Sequence, residues 1–238
     1  MILTVFEISV LISKWVIYLS VAAVIGGTLM QYLIKGQPNL GINVTKYTGL
    51  GAVLHKNRYI KKFSAVLAII SCLLIAVTFT FIGHSTELGL LAQGLILIHV
   101  LIIGSWIGAF YPLWKLCSTD DNIVIKNVMD TFGRLGIVIV ILVLLSGMGM
   151  VWMLFDSPTE LFCSNYGIAV TIKLCLVAII LLIAAWHKLV LVPKLTIANT
   201  SLAKQKLQKS IGLEALIAVL ILATTAVLSS VLGPMSLG

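Results

Sequence analysis

Residues 135–155 read LGIVIVILVLLSGMGMVWMLF, a run without one charged side chain. As a helix it would be roughly 30 Å long, the thickness of a bilayer's hydrocarbon core. The run is continuously apolar rather than alternating, so it reads as a helix and not as a barrel strand. Working outward, five more stretches have the same character: residues 8–34, 64–82, 88–114, 166–191 and 211–232. The reading is an all-α, polytopic transmembrane bundle of about six spans, forming one membrane domain over residues 1–238.

Composition agrees. The chain is 60% hydrophobic and 10% charged, more apolar surface than a water-soluble fold can bury. Its net charge of +8 is not spread evenly. Fourteen of the sixteen Lys and Arg residues fall in three loops, 35–63, 113–134 and 188–210, and the other two are Lys14 and Lys173. Loops 83–87 and 156–165 and both tails carry none. The positive-inside rule therefore places the three basic loops in the cytoplasm and both termini outside. The basic balance is a topology signal with a general attraction to anionic lipid, and it does not read as a nucleic-acid surface. The bilayer is the partner that composition implies.

Several classes are set aside. The N-terminus has no basic region before its apolar run, so it reads as a first span rather than a cleaved signal. The cysteines are Cys72, Cys117, Cys163 and Cys175, with only Cys163 in an outer loop, so no disulfide framework is expected. There is no CxxC pair, no glycine-rich phosphate loop and no Ser–His–Asp pattern.

Ionisable groups inside spans are costly and mark function better than any other residues here. They are Lys14, His99, Lys173, His187 and Glu214, with His84 at the outer end of the second span. His99 lies about 16 Å deep at helical rise. Imidazole is the commonest metal ligand, so His84 and His99 are candidates for a metal or haem site open to the outer face. Met148, Met150 and Met153 lie at the outer end of the fourth span. Met150 and Met153 share a helix face while Met148 points elsewhere. Thioether and imidazole donors suit Cu(I), whereas methionine is also an ordinary gap filler. Lys173 sits too deep to reach water easily and calls for an anionic or carbonyl partner. Snorkelling accounts for Lys14. For Glu214, a helix N-terminus or nearby lysines is one reading, and a proton relay with His187 is the other. Gly104 and Gly108, four apart, and Gly26 and Gly27 are expected where helices approach closely.

These residues also carry a family likeness. Gly83-His84-Ser85, then His99-Val100-Leu101 with Trp106-Ile107-Gly108, resembles the copper resistance protein D family. So do Phe132-Gly133-Arg134, Ser146-Gly147, Asn165-Tyr166-Gly167 with Lys173-Leu174, the run Leu191-Val192-Pro193-Lys194-Leu195, Glu214, and the closing Gly233-Pro234. The likeness covers about residues 83–234. It implies a multi-pass protein of the bacterial inner membrane that handles copper, beside a periplasmic copper-binding partner. It carries His84, His99, Trp106, Lys173 and Glu214 over as site positions. Two features depart from the pattern: His187 stands where an Asn is expected, and the chain is shorter than members with about eight spans.

The first functional expectation is thus a non-enzymatic copper protein, active in copper transport, resistance or homeostasis. Copper would be held by His84, His99, Met150 and Met153. The alternatives are a haem-binding membrane oxidoreductase, with a His pair on haem b and Lys173 at a propionate, and an accessory subunit without catalysis.

Overall fold

A computed structural model describes residues 5–35, 66, 69–74, 76–79, 89–118, 122–155, 157–195 and 200–230. These residues contain no strand. The helices are α1 (Val5–Lys35), α2 (Gly89–Ile107), α3 (Phe110–Leu116), α4 (Asn122–Leu154), α5 (Glu160–Cys163), α6 (Asn165–Trp186) and α7 (Thr200–Ser230). A π-helical turn, His187–Leu191, and one α turn, Val192–Lys194, extend α6. Five segments are long and apolar enough to cross a bilayer: Val5–Met30, Gly89–Leu116, Asn122–Leu154, Asn165–Lys194 and Ser201–Ser230. Of the expected second span, residues 69–74 and 76–79 are described and helical. Loop residues 36–63, the 83–87 turn with His84, and the C-terminal tail lie outside the described residues.

The helix boundaries differ from the apolar boundaries on one side. Helix α4 starts at Asn122, well before the apolar run at 135, and α7 starts at Thr200 rather than near 211. Much of the expected loops 113–134 and 188–210 is therefore helix. These added turns are amphipathic. Val124, Ile125, Val128 and Met129 are buried, while Lys126 and Asp130 pair at 2.7 Å on a wetter face. An i,i+4 ion pair and one apolar stripe suffice for helix where hydropathy alone marks a loop.

A buried core lies in the lysine-bearing half of the bundle. One cluster joins Trp106, Phe110, Leu113, Ile125, Phe132, Leu207 and Ile211. Lys188 Nζ donates to the Gly133 carbonyl (3.0 Å), tying α4 to the π turn at that end. At the opposite end Lys14 Nζ donates to the Ser229 carbonyl (2.6 Å) and Tyr18 Oη lies 2.9 Å from Ser229 Oγ. Lys14 thus satisfies a carbonyl near the end of α7, beyond the snorkelling expected of it. Leu145, Trp152 and Leu182 are exposed on the outer surface, as lipid contact requires.

The glycines of α1 and α2 set the closest helix approach. A Cβ on Gly108 would collide with the Ala22 carbonyl, and one on Gly26 with the Gly108 backbone. A Cβ on Gly104 would lie 2.8 Å from Ile25 Cδ1. Gly27 faces open space and has no part in it. Just beyond, the α2 ladder breaks into α3. Pro112 supplies no N–H to the Gly108 carbonyl, and Ala109 N bonds the Trp106 carbonyl (3.2 Å) in a tighter turn.

Candidate functional site

Two polar clusters lie inside the bundle. The first is built on α2, α4 and α6. His99 is on the face of α2 that packs against α4, and its Nδ1 lies 2.9 Å from Ser146 Oγ. Ser146 is itself buried and lies 2.7 Å from the Leu142 carbonyl one turn back. A carbonyl only accepts, so the serine proton is committed there. The serine oxygen must then accept from His99 Nδ1–H. In the neutral ring this leaves the lone pair on Nε2, the form that binds metals. The ring edge passes Gly147, where a Cβ would lie 3.7 Å from His99 Cε1.

Along α4, Met150 and Met153 follow Ser146 at four and seven residues, so the three share one stripe. The helices run antiparallel here: His99 meets Ser146, and Leu95 meets the Gly149 position one turn on. Both methionines are partly buried, while Met148 is exposed at 65% on the lipid side. Lys173 is carried on α6. It forms no hydrogen bond or ion pair with a described residue. Trp106, two turns from His99, is buried and stands edge-on to Phe110 with centroids 6.1 Å apart. It packs the bundle and does not meet the His99 cluster through any hydrogen bond among the described residues. His84 falls outside them, so its relation to His99 is not part of this geometry. Among the described residues no three His, Cys, Asp or Glu side chains converge. A metal here would take one imidazole and thioethers.

The second cluster sits at the lysine-bearing end. His187 Nδ1 lies 3.2 Å from Glu214 Oε2, and its Nε2 lies 2.5 Å from Ser210 Oγ. His187 and Glu214 are both buried. Glu214 is not at a helix start, since α7 begins fourteen residues earlier, and among the described residues it makes no lysine pair. The helix start expected for Glu214 is thus not where it lies, and the side chain it contacts is His187. Its other oxygen, Oε1, is buried without a partner. The π turn at His187–Leu191 comes just before Pro193, whose missing N–H disturbs the α ladder, and such bulges frequently carry functional side chains. Ser210 is the member that residue type did not single out. Its signal was its spacing, four residues before Glu214 on one helix face.

The remaining motifs have local explanations. Ser164 caps α6 by accepting from Gly167 N (2.8 Å), and a Cβ on Gly167 would strike the Glu160–Leu161 backbone. Phe132 is buried, Gly133 offers its carbonyl to Lys188, and Leu191, Val192 and Leu195 are buried around the π turn.

Part of the chain, holding some of these positions, matches a known family. Residues 126–228 match the family described as Copper resistance protein D. This match supports membership of the copper resistance protein D family. It includes Ser146, Met150, Met153, Lys173, His187, Ser210 and Glu214, and leaves His84, His99 and Trp106 outside. The match suggests a copper resistance-related membrane protein, and the five long apolar helices fit a membrane protein. No curated protein and no solved structure matches the chain.

Proposed function

We propose that this protein carries copper through the bacterial inner membrane, as a non-enzymatic transporter or homeostasis factor. The observation that carries this reading is the alignment of His99 with the α4 stripe. Ser146 fixes the imidazole so that Nε2 keeps its lone pair, and Met150 and Met153 continue the same stripe toward the lysine-free end. One nitrogen and two soft sulfurs are donors that Cu(I) accepts at low coordination number. His84, five residues beyond the last described residue of the second span, would belong to the outer mouth, where a periplasmic copper-binding protein would deliver the ion.

One observation favours a second reading. Lys173, within the α6 span, has no anionic partner among the described residues. An unpaired cation in a span is unfavourable, whereas an anionic group beside it would be favoured. Haem b, ligated by His99 with a propionate at Lys173, meets that condition.

The deciding experiment is an absorption spectrum and metal analysis of purified protein. Stoichiometric copper without a Soret band supports copper carriage, and a Soret band lost in His99→Leu supports haem. Neither signal would leave the accessory-subunit reading.

A further inference from the structure

A groove of about 540 Å³ opens beside the second cluster, between the α6 extension and the start of α7. That is the size range of small-molecule sites. Its two sides differ in chemistry. Lys194, at the end of the α turn, and Lys206 and Lys209, three apart on α7, supply ammonium groups. None of these three pairs with an acid among the described residues, so their charge is uncompensated. Trp186, Leu191 and Leu213 form an apolar wall. Trp186 and Leu213 are themselves exposed, at 56% and 48%, so the wall continues onto the lipid-facing surface. Ser210 lies on the lining between them, its hydroxyl held by His187 at 2.5 Å.

We propose that this groove binds an anionic membrane phospholipid, with the phosphate among Lys194, Lys206 and Lys209 and an acyl chain along Trp186 and Leu213. Three arguments select a lipid over a soluble anion. The basic side and the apolar side are contiguous, which matches a headgroup joined to a chain. The apolar side opens outward to where acyl chains lie. The groove sits at the end of the bundle that collects lysines, which is the end the charge rule assigns to the anionic cytoplasmic leaflet. A tryptophan at that level is also where interfacial aromatic side chains concentrate. The proposal is independent of copper or haem at His99, because the two clusters share no residue.

The test uses the full chain, delipidated in a neutral detergent, with phosphatidylglycerol, phosphatidylcholine or inorganic phosphate added. Native mass spectrometry and thermal unfolding are the readouts. Phosphatidylglycerol is expected to remain as one adduct per chain and to raise the unfolding temperature, with little effect from the other two. In Lys194→Gln/Lys206→Gln/Lys209→Gln its apparent affinity should fall about 100-fold, given the worth of a lysine near an anionic surface. Lys115→Gln, at the same end but off the groove, should leave it unchanged. If the triple variant does not fold, Lys206→Gln alone should weaken retention severalfold. Equal retention of phosphatidylcholine, or equal loss in Lys115→Gln, overturns the site. Equal protection by inorganic phosphate, with displacement of the lipid, overturns the lipid and assigns a soluble anion.

Discussion

His99 Nδ1 and Ser146 Oγ meet at 2.9 Å across the α2–α4 interface, and the serine proton is already spent on the Leu142 carbonyl. The pair therefore fixes both the tautomer and the orientation of the ring. Removing such a positioning partner of a ligand histidine costs about 10–100-fold in metal affinity. Ser146→Ala is expected to insert and fold normally and to weaken copper binding by that range. His99→Leu should also insert but should abolish copper-dependent behaviour. Copper titration of purified variants, with copper accumulation in cells, checks both. Unchanged affinity in Ser146→Ala would mean that Nε2 is not the ligand atom.

Lys173 gives the opposite balance. An ammonium at mid-span costs a few kcal/mol even on the mildest insertion scale, and no described residue compensates it. Methionine is unbranched and of similar length, so Lys173→Met should pack without strain. The variant is expected to be at least as stable in detergent and to lose activity. Thermal unfolding beside copper uptake or haem content measures the two effects separately. An active, more stable variant would make the charge incidental.

How much of this was readable in the chain depends on the kind of signal. Uninterrupted apolar runs marked the spans, and the Gly104/Gly108 spacing marked a close contact, because both depend on local sequence. Helical periodicity likewise separated Met148 from Met150 and Met153. Partners across helices were not readable. Nothing local says that Ser146 meets His99, that Ser210 meets His187, or that Lys14 reaches Ser229; those pairings are fixed by how antiparallel helices register. The early starts of α4 and α7 were missed because amphipathic turns lower hydropathy without breaking helix. Glu214 was misplaced at a helix start for the same reason.

Gly108 has the least room of any glycine among the described residues, since a Cβ there would collide with the Ala22 carbonyl. Backbone cannot yield as a side-chain tip can. Gly108→Ala should force α1 from α2 and destabilise the protein by about 1–3 kcal/mol, the scale of overpacking. Gly27→Ala, facing open space, should be close to neutral. Thermal unfolding of both variants checks the contrast, and equal effects would show that the α1–α2 contact is loose.

The cysteines report topology. Cys163 is exposed at the end of α5, in the segment expected outside, whereas Cys117 is fully buried and its burial pushes the thiol up to about 12. Only a thiolate reacts readily with maleimide. A membrane-impermeant maleimide applied to intact spheroplasts should label Cys163 and leave Cys117 unlabelled, even after lysis at neutral pH. Reporter fusions after residues 45, 122 and 200 should be cytoplasmic, and those near 86, 160 and the C-terminus external. A Cys163 that labels only after lysis would reverse the orientation.

The second buried pair allows a sharper test, because both of its members are buried. His187→Leu strips Glu214 Oε2 of its partner while Oε1 already has none. Glu214→Leu leaves Nδ1–H without an acceptor. Each single change should therefore cost about 3–5 kcal/mol, as breaking one side of a buried pair does. Replacing both removes the desolvation penalty together with the bond, so His187→Leu/Glu214→Leu should cost clearly less than the sum. Reversible unfolding in mixed micelles gives all four corners of the cycle. A structural pair shows this non-additivity with copper transport intact in the double variant, whereas a proton relay shows it with transport lost. Additive single effects would mean that the two side chains do not interact in the folded protein, whatever their 3.2 Å separation.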